Sequence, residues 1–153
     1  MSTEFEVETV RPLAEAARNG GTLTAEVDQA LAALERELNR LAGTLQVEHV
    51  GPGVGMEDMA AEEVYRLVIR EHEHDVTRRD WGVMVCDALP NCDYRAMWPM
   101  TGVGRLRRRQ VVAVVPELVA GYRAAVEAAG RGDTPAAQRL AQIEAVLGQP
   151  AAA

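Results

Sequence analysis

Residues 57–89 read EDMAAEEVYRLVIREHEHDVTRRDWGVMVCDAL, and the fold class turns on what this stretch becomes. Apolar residues stand at Ala60, Val64 and Leu67. The same stepping of four and three residues continues through Glu71, His74 and Arg78 to Trp81 and Val85. Such steps keep to one face of an α-helix. The acids Glu57, Asp58 and Glu62 suit the positive end of a helix. The spacing therefore predicts a helix from near Glu57 to at least Asp75. Gly82 and Pro90 are the candidate stops if it continues to Trp81 or Leu89.

Upstream, Thr22 or Thr24 can cap a helix running to about Ala42, with Gly43 ending it. Val27, Leu31, Leu34, Leu38 and Leu41 form a heptad-type seam that needs a second helix to cover it. Between the two lies Gly51-Pro52-Gly53, with Gly55 close behind, which forbids helix and leaves room for a brief extended piece at Leu45–Val50. The segment lacks the Lys-Ser/Thr ending of a phosphate loop. The two long helices are thus expected as an antiparallel pair.

The remaining chain reads as shorter helices. One spans Val10–Arg18, with Pro12 in its first turn and Asn19-Gly20-Gly21 after it. Residues 90–104 form a long apolar loop, or hold a short helix around Asp93–Met97. Gly104 opens a helix over Arg105–Val115, Pro116 kinks or restarts it, and it continues over Glu117–Ala129. Asp133 or Thr134 caps a last helix ending at Leu147. The expected fold is all-α, a small helical bundle of four to five helices. Residues 1–21 are read as an acidic N-terminal segment, 22–147 as the bundle domain and 148–153 as a disordered tail.

Composition supports helices. There are 25 alanines, one serine, 48% hydrophobic residues and only 4% aromatic ones. No apolar run is long enough for a membrane helix, and the acidic N-terminus has no signal-peptide core. All 16 basic residues are arginine against 23 acids, a net charge of −7. That total hides −10 over residues 1–75 and +3 over residues 76–153. The halves can attract within one chain or between subunits. Cys86 and Cys92 are too few for a disulfide scaffold, so they are expected as reduced thiols in a cytoplasmic protein.

Three constellations could carry chemistry. On a continuous helix, Glu71, His74 and Arg78 would point inward as a polar core network. Glu71 and His74 also form Glu-x-x-His, the ligand pair of ferritin-like di-iron bundles, which would take iron, manganese or zinc. No second copy of that motif exists in the chain. Arg105, Arg107, Arg108 and Arg109 follow Gly102 and Gly104 and could grip an anion, a nucleic-acid backbone or an acidic partner. The net negative charge and the lack of a nucleic-acid motif weigh against nucleic acid. Cys86, Cys92, Met97, Trp98 and Met100 are core packing under a loop, or with His72 or His74 a soft-metal site. The leading expectation is a non-catalytic protein acting through self-association or a protein partner, without a cofactor. Metal binding and anion binding are the rivals.

Overall fold

The computed structural model describes residues 5–55, 64–88 and 96–148. After a 3-10 turn at Val7–Val10, the elements are α1 (Arg11–Arg18), α2 (Ala25–Leu45), β1 (His49–Val54), β2 (Val64–Asp75), β3 (Arg78–Ala88) and β4 (Ala96–Trp98). A 3-10 turn at Met100–Gly102 leads into α3 (Arg105–Ala128) and α4 (Pro135–Leu147). The strands make one antiparallel sheet in the order β1-β2-β3-β4, packed against helices.

The all-α expectation is therefore corrected, and with it the antiparallel pair of long helices. The stretch after residue 63 is a β-hairpin. Val64 pairs with Ala88, and the register runs unbroken to Glu73 opposite Arg79. Leu67 and Ile69 of β2 lie opposite Val85 and Val83 of β3, and all four belong to the main core. The turn needs neither glycine nor proline. The Asp75 carboxylate accepts both the backbone N–H and the hydroxyl of Thr77, each at 2.7 Å.

The hairpin is strongly coiled. The His72 Nε2 lies 3.2 Å from the Val68 carbonyl oxygen. Four residues of straight strand would span about 13 Å, beyond the reach of an imidazole. Long two-stranded ribbons twist most strongly, which brings His72 back toward Val68. Val68, His72 and Cys86 are buried as well, although none belongs to the main core.

The expected seam of α2 is fully used: Val27, Leu31, Leu34, Leu38 and Leu41 are all buried. It rests chiefly on β3 and not on a second long helix. Thr24 caps α2, its hydroxyl accepting the Val27 N–H at 3.1 Å. The helix runs through Gly43 and ends where Gln46 turns left-handed, φ 53°. Asn39 reaches from α2 to β3 and accepts the Val83 N–H at 2.9 Å.

The core face of α3 carries Val111, Val112, Val115, Leu118, Val119, Tyr122 and Val126 and packs on β1 and α1. Pro116 lies inside this single helix, so the helix does not restart there. Gly51 allows the close approach of β1. A Cβ there would come 2.7 Å from both Leu118 Cδ1 and the Leu67 carbonyl oxygen. Thr134 caps α4 and Pro135 opens it. The expected helix start at Glu57–Glu62, Cys92, the segment Asp93–Arg95 and the tail from Gln149 onward lie outside the described residues.

Candidate functional site: the groove of the coiled hairpin

Coiling gives the hairpin a concave side. Residues 70–76 and Arg79 line a groove of about 810 Å³ with Glu48, Ala96 and Met97. Among the described residues its charged walls are Glu48, Glu71, Glu73 and Asp75 against Arg70 and Arg79, so carboxylates outnumber guanidinium groups there. Arg79 reaches Glu73 at 3.6 Å and Arg78 reaches Asp80 at 2.8 Å. His74 Nε2 stands 3.7 Å from the same Asp80 carboxylate. The two arginine pairs are more than half exposed, where such pairs contribute little to stability.

His72 differs from its neighbours. It is 4% exposed, and burial holds its imidazole below the usual histidine range. The Val68 carbonyl opposes that shift, while Arg70 and His74 add to it. The Cys86 thiol is pushed up to about 12 by burial, so it is held as a neutral thiol.

The Glu71, His74 and Arg78 placement is a second correction. A strand puts residues three apart on opposite faces, so Glu71 and His74 no longer share one. Glu71 and Arg78 are exposed, and neither joins a buried network with His74. Among the described residues, no group of three or more His, Cys, Asp or Glu side chains is placed to hold a metal ion. What unites the flagged segment is the groove, which the helical reading could not reveal.

The four arginines of α3 diverge. Arg108 turns inward to Asp28 of α2 at 2.8 Å and to the Val103 carbonyl at 3.0 Å. This pair joins the basic half of the chain to the acidic half. Arg107 lies over the Tyr65 ring, 4.2 Å from its centroid, and donates to Val54 O and Gln110 Oε1. Arg105 and Arg109 are exposed, with no ion-pair partner among the described residues. The aromatic side of this cluster, Tyr65 and Trp98, was hidden in the sequence because the two residues come from distant strands. Of the apolar loop group, Met100 is buried in the core, while Met97 lines the hairpin groove.

No family model, curated protein or solved structure matches this chain. Among the described residues, no helix is long and apolar enough to cross a membrane.

Proposed function

We propose that this protein acts by binding, without chemistry of its own, and that the hairpin groove receives a cationic protein surface. The excess of carboxylates among the described residues of the groove carries this reading. A second copy of the chain supplies a matching element in the exposed Arg105 and Arg109 at the start of α3. Opposite charges on two patches steer association and fix register. Pairing a groove on one copy with a helix on the next is a heterologous contact, which builds rings or chains of subunits.

Sedimentation at low and high salt tests this. Self-association is expected at an ionic strength of about 0.01 M and should weaken near 1 M, where the screening length falls to roughly 3 Å. Glu71→Arg and Arg109→Glu should each weaken it, and mixing the two variants should restore a mixed assembly. A chain that stays monomeric at low salt and high concentration rejects the second copy as partner.

A further inference from the structure

Away from the hairpin groove, a smaller recess opens between the sheet and the start of α3. Its volume is about 190 Å³, and its lining includes Tyr65, Val85, Trp98, Gly102, Gly104 and Arg107. We propose that this recess binds a small carboxylic acid carried on a single flat ring.

Shape and chemistry both point that way. The Tyr65 and Trp98 rings pack against each other as a tilted pair, 6.0 Å apart at 53°, and give the recess an aromatic side on which a flat ring can rest. Val85 also lines it. The guanidinium of Arg107 lies on the Tyr65 face, and its Nη1 is held by Val54 O at 3.2 Å and Gln110 Oε1 at 2.8 Å. A guanidinium has five donors in a rigid fork. With Nη1 engaged, Nε and Nη2 make no hydrogen bond among the described residues, and that edge matches the two oxygens of a carboxylate. Fixing one end of the fork in advance reduces the ordering cost of binding.

Size and charge exclude other occupants. Sites for nucleotides and drug-sized ligands run to roughly 300–1,000 Å³, whereas an apolar cavity near 150 Å³ holds benzene. Among the described residues that line the recess, the one charged side chain is the cationic Arg107, which suits an anion. Small residues at Gly102 and Gly104 keep its rim open.

Titration of the full chain with benzoate tests the proposal. It would be followed by calorimetry and by the NMR shifts of the Trp98 indole N–H and the Gly102 and Gly104 amides. Saturable binding with shifts at those three groups is expected. Acetate, which has no ring, and benzyl alcohol, which has no charge, should each bind at least roughly tenfold more weakly, a difference of about 1.4 kcal/mol. Arg107→Gln and Trp98→Leu should each weaken benzoate by a similar factor. Because Arg107 also bonds Val54, circular dichroism must show that Arg107→Gln is folded, and Trp98→Leu leaves that contact intact. Absence of saturable benzoate binding, equal affinity for acetate, or full affinity in a folded Trp98→Leu variant would each overturn the proposal. These outcomes are independent of self-association through the hairpin.

Discussion

His72 and Glu35 show two ways in which polar side chains are held inside this molecule. Glu35 is 9% exposed, and its two carboxylate oxygens accept the Met100 N–H and, at 2.7 Å, the Thr101 hydroxyl. It thereby ties α2 to the 3-10 turn ahead of α3. The sequence shows Glu35 only as a charged residue beside an apolar seam, because its partners lie in a distant segment. His72 is buried as a neutral imidazole, and its lowered pKa has a consequence for stability. The unfolded chain takes up a proton near pH 6.5, while the folded chain resists it until lower pH. Between pH 6.5 and that lower value the unfolded state binds more protons. Stability is therefore fully present above about pH 6.5 and is lost as pH falls through the lowered folded value. His49, held half-buried beside the Tyr122 ring, is shifted the same way by burial. The urea midpoint should fall between pH 7 and pH 5, and a His49→Gln, His72→Gln double variant should lose much of that slope. A midpoint that is flat or rising toward pH 5 in the parent protein would contradict this.

At the scale of elements, the helices were largely legible and the hairpin was not. Helix α2 shows its cap at Thr24 and its seam from Val27 to Leu41, and α4 shows Thr134 with Pro135. In β2 and β3 the usual alternation is masked. Val68 and Cys86 are buried on the face away from the main core, so Leu67–Ile69 and Val83–Cys86 offer almost no polar face. The turn at Asp75–Arg78 lacks the glycine or asparagine-glycine pair that announces a hairpin, and Gly82 stands within a strand where it resembled a helix stop. The β-branched and aromatic content of VYRLVI was the available signal. The candidate groove follows the same logic: residues 70–75 were flagged, but only coiling sets them opposite Met97. Asn39 closes the β3 backbone at Val83, one position that β4 does not pair. Asn39→Leu should leave that N–H without its acceptor, at a cost of roughly 1–3 kcal/mol. Chemical denaturation would measure the loss, and hydrogen exchange should show faster exchange at the Val83 amide. Unchanged protection there would show that Asn39 does not hold the strand edge.

Across the whole molecule, a single core joins the first helix to the last. Val10, Leu13 and Ala16 of the N-terminal region share one cluster with Leu31 of α2, Ile69 of β2, Tyr122 of α3 and Leu147 of α4. Charge is organised on the same scale, with Arg108 of the basic half bonded to Asp28 of the acidic half. The acidic start of the chain is thus part of the packed interior from Val10 onward, with α1 against α2 and α3. Full burial of a side chain such as Val10 or Leu13 contributes about 1.5–3 kcal/mol. Two of them represent a large share of the 5–15 kcal/mol by which domains are ordinarily stable. Leu13→Ala should lower the unfolding free energy by roughly 2–5 kcal/mol, since it also leaves a cavity. Deleting residues 1–18 removes Val10, Leu13, Ala14 and Ala16 together and bares the faces of α2 and α3 beneath them. That shortened chain should lose its cooperative urea transition and bind a hydrophobic dye. A shortened chain with the parent midpoint would show that α1 is packed on the core without supporting it.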